Sequence, residues 1–328
     1  MNTNHVLGID VAKDSLDVCL LVGEKQSHRQ FSNRPEGHRA LEHWLHPHPA
    51  AAMQVCLEAT GQYGEAVAEY LHQQGYRVSV VNPARIKAFG QSQLRRNKTD
   101  RADALLIAQF CASQMPRVWS PPPAAVRDLQ ALVRHLEDLQ AMRQQESNRL
   151  QSGVRTILVV ADLQEHLAYL DQQIEKVKQA LQDHIERQPE LHRQQALLVS
   201  IPGIGQLTAA KLLGEIRAVC EFDSARQLAA YAGLTPRNCL SGSSIHKKSR
   251  LSKTGNAHLR KILYMPAVSA RRWNPIIQTF CQRLSRSGLT ALQQIGAAMR
   301  KLLHLAYGIL KSGKPFDPHY LPHSQAPT

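Results

Sequence analysis

Val6-Leu7-Gly8-Ile9-Asp10-Val11 and Leu16-Asp17-Val18-Cys19-Leu20-Leu21-Val22, joined through Asp14-Ser15, decide the fold. Both are apolar runs of strand length. The tight polar connection between them favours an antiparallel hairpin. Working outward, a third strand is expected at Arg29 to Ser32. Pro35 to Leu45 reads as a helix with its proline in the first turn. Gln54 to Leu57 is a buried strand. Tyr63 to Gln74 is a helix stopped at Gly75, and Tyr76 to Val81 a strand closed by Asn82-Pro83. Helix returns from Thr99 to Ser113.

An antiparallel hairpin followed by βαβ units is the order of a ribonuclease-H-like α/β domain. Four carboxylates fall at telling places on that map. Asp10 lies within the first strand, and Glu58 ends the central one. Asp100 and Asp103 stand three apart at a helix start and project from one face. Clustered carboxylates repel, and a divalent cation removes that cost. All-oxygen ligands select Mg²⁺ or Mn²⁺ rather than zinc. Two such ions can clamp the attacking and leaving oxygens of a phosphodiester. Acids also favour a helix N-terminus for dipole reasons alone, and Asp14 and Asp17 show that nearby acids need no role. Pattern alone leaves both readings open.

The far end of the chain is different in kind. From Ser224 to Phe316 there are 93 residues with no Asp or Glu and with 16 Lys and Arg, out of a whole-chain formal charge of +14. A basic field without acidic counterweight attracts a polyanion, and nucleic acid is the commonest. Arg237, Lys247, Lys248, Arg250 and Lys253 surround the hydroxyl-rich Ser241-Gly242-Ser243-Ser244, and Arg260 and Lys261 follow. These cations are the candidate nucleic-acid contacts, with Lys247 to Lys253 expected as a flexible patch. Ser200-Ile201-Pro202-Gly203-Ile204-Gly205 reads as a helix-hairpin-helix, in which Gly203 and Gly205 would let backbone amides approach a phosphate. The rest of this region is expected to be mainly helical. Its few aromatics do not advertise base stacking.

Between the ends, Pro121-Pro122-Pro123 breaks the chain. Ala124 to Gln188 then shows apolar residues at helical spacing, from Leu129 to Leu139 and from Leu167 to Leu181. Two long helices in an antiparallel or intermolecular coiled coil are expected. Three domains follow: 1–120, 121–190 and 191–328. Six scattered cysteines without a CxxC pair read as reduced thiols. His43, His46 and His48 fall in an expected loop. No apolar run is long enough for a bilayer, and a cytosolic protein is expected, nucleoid-associated when bound to DNA.

The motifs together resemble the DEDD transposases of the IS110 insertion-sequence family, recombinases guided by a bridge RNA. At the front these are Gly8-Ile9-Asp10-Val11-Ala12-Lys13, Glu58-Ala59-Thr60-Gly61-Gln62-Tyr63, Val80-Val81-Asn82-Pro83 and Asn97-Lys98-Thr99-Asp100-Arg101-Ala102-Asp103-Ala104. At the back they are the Ser200 to Gly205 run, Ala232-Gly233-Leu234-Thr235-Pro236-Arg237, the Ser241 to Ser244 run and Tyr264-Met265-Pro266-Ala267. The resemblance implies a RuvC-like first domain whose Asp10, Glu58, Asp100 and Asp103 hold Mg²⁺. It implies that Ser241 attacks DNA and forms a covalent phosphoserine link. It further implies donor and target DNA, a guide RNA, and a dimer or tetramer with composite active sites as partners. The residues by themselves would not choose Ser241 over Ser243, Ser244, Ser249, Tyr231 or Tyr264. They also leave open a metal-dependent nuclease or junction resolvase that uses water, and a non-enzymatic nucleic-acid-binding protein.

Overall fold

The computed structural model describes residues 5–59, 61–94, 99–241 and 245–319; for 62, 238–241 and 245–249 it describes the backbone alone. Thr60, Asn97, Lys98, Gly242, Ser243 and Ser244 lie outside the described residues. The chain divides into two compact units, Met1–Pro121 and Pro122–Thr328.

The first unit is a five-stranded sheet in the order β3-β2-β1-β4-β5. Strands β1 (His5–Val11), β2 (Ser15–Val22) and β3 (Lys25–Ser32) form an antiparallel meander. Strands β4 (Met53–Glu58) and β5 (Arg77–Val81) run parallel to β1. Antiparallel strands followed along the chain by parallel ones with helices between are what the sequence predicts. Strand β3 is longer than expected, because it is a largely exposed edge strand whose polar residues carry no apolar signal.

Side chains alternate across the sheet. Leu7, Ile9 and Val11 join Leu41, Leu45, Val67 and Leu71 in one layer, under α1 (Pro35–Leu45) and α2 (Glu65–Gln73). On the opposite face Val6, Cys19, Cys56 and Val81 pack against Ile86 of α3 (Pro83–Ser92) and Ala104, Ile107, Ala108 and Cys111 of α4 (Asp100–Gln114). Helix α3 is not foreseen by the sequence reading, which takes Asn82-Pro83 only as the end of a strand. The two residues are a helix start. The Asn82 side chain accepts from the Ala84 amide at 2.8 Å, and Pro83 occupies the first turn, where its missing donor costs nothing.

The second unit opens with two long helices, α5 (Ala124–Gln151) and α6 (Ile157–Glu186). They are antiparallel within the chain: His184 Nε2 lies 2.7 Å from the Ala125 carbonyl, and Arg143 Nη2 donates to Asp171 at 3.1 Å. Helices α7 (Pro189–Val199), α8 (Gln206–Ile216), α9 (Ala225–Tyr231), α10 (Ala257–Trp273), α11 (Pro275–Arg286) and α12 (Ala291–Ser312) follow. One hydrophobic core runs from Val126 to Ile309, so the helix pair expected as a separate spacer shares its core with everything after it. Inserted between α9 and α10 is a two-stranded antiparallel ribbon, β6 (Pro236–Ser241) and β7 (Ile245–Leu251). The segment expected as a flexible basic patch is therefore partly strand. No described helix is long and apolar enough to cross a membrane.

Candidate active site and nucleic-acid interface

The acids of the first unit are placed by register. The parallel β1–β4 pairing sets Gly8 beside Cys56 and Ile9 beside Leu57, so the next residues are Asp10 and Glu58. Both extend the row of Val6, Gly8 and Cys56 and thus lie on the sheet face covered by α4. Asp10 also pairs directly with Asp17 of β2. Cross-strand partners share a face with Cβ atoms about 5 Å apart. A residue set aside in the sequence reading thus adds a third carboxylate to the row. Gln30 Nε2 donates to it at 2.9 Å.

Helix α4 brings the other two. Thr99 caps it, accepting from the Ala102 amide at 3.2 Å. Asp100 and Asp103 continue the stripe of Ala104, Ile107, Ala108 and Cys111 that packs on the sheet. The approach is unusually close because β1 carries glycine at its crossing. A Cβ on Gly8 would stand 2.3 Å from both the Ala104 carbonyl oxygen and the Ala108 nitrogen. Asp10, Glu58 and Asp103 are half-buried, and Asp100 is exposed. Among the described residues, no group of three or more His, Cys, Asp and Glu is disposed to hold a metal ion. In kind, the all-carboxylate set fits a hard divalent cation.

Two side chains order the loops beyond the strand ends, and nothing in the sequence pattern marks them. The Asn33 amide donates to the Ala12 carbonyl at 2.9 Å and to the Tyr63 carbonyl at 3.0 Å. Residue 12 lies two past Asp10, and residue 63 five past Glu58. The Asn33 oxygen faces His38 Nε2 at 3.1 Å, on a buried imidazole. Burial lowers the pKa of His38 and favours its neutral form. Its ring can then donate to Asn33 and fix which way the amide points. At the centre of the α4 interface, the hydrogen bond to Cys111 and burial push the Cys56 thiol up, so it stays protonated. Among the described residues, five cysteines are free thiols.

In the second unit Ser241 is the last residue of β6, paired with Ile245. The ribbon's base is held firmly. Gly233 and Gly255 both have positive φ (68° and 141°), and a Cβ on Gly255 would come within 2.2 Å of the Tyr231 carbonyl oxygen. Asn256 N donates to the Tyr231 carbonyl at 2.7 Å, and Lys253 N to that of Gly233 at 3.1 Å. Arg260 Nη1 reaches the carbonyls of Ala232, Gly255 and Asn256 at 3.0, 3.1 and 3.2 Å. Arg260 therefore buttresses this loop, whereas the sequence reading offered it as a nucleic-acid contact. Below it lies the fully buried Glu215, which accepts from Asn256 Nδ2 at 2.8 Å and from Arg134 Nε at 3.2 Å. Both bonds are needed, because an unpaired carboxylate there would be severely destabilising.

The other expected contacts separate as follows. Arg237 and Arg250 are exposed and directly opposed across the ribbon. The backbone of Lys247 and Lys248 lies in β7. Lys253 is exposed at φ 55°. Lys261 lies 4.0 Å from Glu137, which also meets His258 Nδ1 at 2.8 Å. Gly203 and Gly205 sit in the turn between α7 and α8. A Cβ on Gly203 would meet that of Ala270 at 2.9 Å, so this glycine serves helix packing, whereas space is open at Gly205.

A family model described as DEDD_Tnp_IS110, transposase, matches residues 7–159. A second, described as transposase of the IS116/IS110/IS902 family, matches residues 195–282. Among curated relatives, a pilin gene-inverting protein of Moraxella bovis is 35% identical over 315 residues, 95% of this chain and 97% of that protein. A transposase for insertion sequence element IS1328 of Yersinia enterocolitica is 27% identical, covering 79% of this chain and 81% of that one. A solved T. thermophilus RuvC in complex with Holliday junction substrate covers 34% of this chain and 95% of its own. It is 18% identical with a TM-score of 0.27, too low to bear on the fold.

Proposed function

The chain belongs to the IS110 family of transposases, and on that premise we propose that it is an RNA-guided DNA recombinase that cuts and rejoins strands through Ser241. The observation that carries the reading is the Gly8 crossing. It lets α4 lie close against β1, which supports a reading in which Asp100 and Asp103 at the helix start act with Asp10 and Glu58 on the facing strands. These four carboxylates would hold Mg²⁺, with Mn²⁺ as a substitute. The bound ions would neutralise charge on the scissile phosphate and on its leaving oxygen.

In this reading the Ser241 hydroxyl forms a new phosphorus–oxygen bond as the phosphate's bond to one DNA strand end breaks. The departing oxygen takes up a proton and leaves as a hydroxyl. The phosphodiester count is unchanged, so another strand's hydroxyl can displace the serine without ATP. The relative named for inverting a pilin gene fits a reaction that both cuts and rejoins. Arg237 and Arg250 would grip phosphates beside the serine, while pairing with a guide RNA would supply sequence choice. The exposed Ile157 and Leu158 at the start of α6 support assembly into a dimer or tetramer through the long helices.

The test is a reaction quenched with denaturant. Wild-type chain should carry DNA joined to the peptide containing Ser241. Ser241→Ala should bind DNA and RNA yet form no adduct, whereas Ser243→Ala and Ser244→Ala should keep it. Cutting without any adduct in wild type would make water the nucleophile. An adduct in Ser241→Ala would move the role to another residue.

A further inference from the structure

Helix α10 buries one face and leaves the other bare. Leu259, Ile262, Leu263, Ala267 and Ala270 point into the core. Tyr264, Met265 and Val268 form an apolar strip on the opposite side, 41%, 66% and 37% exposed. Spacings of one, three and four residues keep them on one stripe. Lys261 precedes the strip and Arg272 ends it, on the same side. Beyond Arg272 stands Trp273, 66% exposed, with the guanidinium 5.1 Å from its ring centroid. The stripe lies within the 93 residues that hold no acid.

We propose that this face of α10 is a stacking platform for an unpaired DNA strand. The proposal rests on the reading above that the chain opens and exchanges DNA strands. Aromatic rings flanked by cations suit unpaired bases, whose faces stack while their phosphates meet Lys or Arg. A duplex hides its base faces and would leave the rings unused. A protein partner would have to match an apolar strip with a cation at each end. The stripe offers little to read a ribose 2′-hydroxyl, since Tyr264 supplies its one hydroxyl group, so DNA is the better fit than RNA.

Trp273 makes the idea measurable, because the chain's other two tryptophans, Trp44 and Trp119, are half-buried against the first unit's core. Oligo(dT), oligo(U) and a duplex of equal length are titrated into the full chain while tryptophan emission is followed. Oligo(dT) should quench it, and Trp273→Phe should remove that quench while keeping the strand bound. Tyr264→Ala with Trp273→Ala should weaken oligo(dT) binding about 5- to 100-fold, with duplex affinity changed less than about 3-fold. If the double variant fails to fold, the quench and its loss in Trp273→Phe decide. Oligo(dT) binding without quenching would overturn the proposal, as would tighter binding of oligo(U). A double variant that changes molecular mass in light scattering but not strand affinity would make the face a protein contact and also overturn it. A chain that forms the Ser241 adduct yet shows no quench loses this inference alone; one that binds no DNA in any form loses both.

Discussion

The Gly8 crossing and the β6–β7 ribbon hold their proposed functional residues by opposite means. Asp10 and Glu58 stand on neighbouring strands, and Asp100 and Asp103 on a helix that packs against the sheet. At the β1–α4 crossing backbone lies against backbone, close enough that a methyl group on Gly8 would not fit. Ser241 stands at the far end of a ribbon whose two strands have, among the described residues, no other strand beside them. A lone two-stranded ribbon is marginally stable in water. At its base it is secured through Gly233, Gly255, Arg260 and the Asn256–Glu215 bond. Precision in the first unit comes from packing, which tolerates no displacement. In the second it comes from a hydrogen-bonded foot, which fixes the root of the ribbon.

The comparison breaks most readily at Gly8. Gly8→Ala should push α4 off β1 and lower Mg²⁺-dependent strand cleavage by at least about 100-fold, the scale of loss expected for a misplacement of about 1 Å. Binding of DNA by the second unit should persist. Gel assays of cleavage and of DNA retention measure the two separately, and unimpaired cleavage would show that the crossing does not set the acids.

A smaller effect belongs to the ribbon's foot. Glu215→Gln removes the charge that Arg134 and Asn256 share and should destabilise the second unit by about 2 kcal/mol, the range for a hydrogen bond to a charged group. Denaturant unfolding measures it. Adduct formation should slow while stabilisation by Mg²⁺ is kept. Loss of that stabilisation instead would mean that the foot and the acids are not independent.

The smallest change is expected at Asn33. Asn33→Ala unties Ala12 from Tyr63 and should weaken Mg²⁺ binding about 10-fold, in line with other residues that orient metal ligands. Calorimetry with Mg²⁺ gives this directly. Cleavage should recover at high Mg²⁺, a rescue that general unfolding would not show.

Much of the first unit is legible in the sequence. Its strands are apolar runs broken by turn residues, and Thr99 with two acids after it marks a helix start. What stays hidden depends on partners distant in the chain. Gly8 reads as an ordinary strand residue until Ala104 and Ala108 lie across it. Arg260 reads as one more cation in a basic stretch until three carbonyls surround it. Asp17 reads as incidental until β2 folds back beside β1. The ribbon is missed for another reason: Ile245-His246-Lys247-Lys248-Ser249-Arg250-Leu251 lacks the apolar alternation of a strand with one face in a core. At Ser241, the residue pattern alone offers several hydroxyls, and only the motif's resemblance to a family singles one out.

Arg237 opposite Arg250 has a thermodynamic consequence. Like charges paired across a ribbon oppose its closure. An anion bound between them reverses the sign of that contribution, so ribbon formation and substrate capture become linked equilibria. The support of the proposed nucleophile would then be weakest when no DNA is near and would strengthen as phosphate arrives. On the proposal that Ser241 attacks DNA, that coupling would work as a safety catch: the serine would be held in its working arrangement chiefly by the strand it is about to cut.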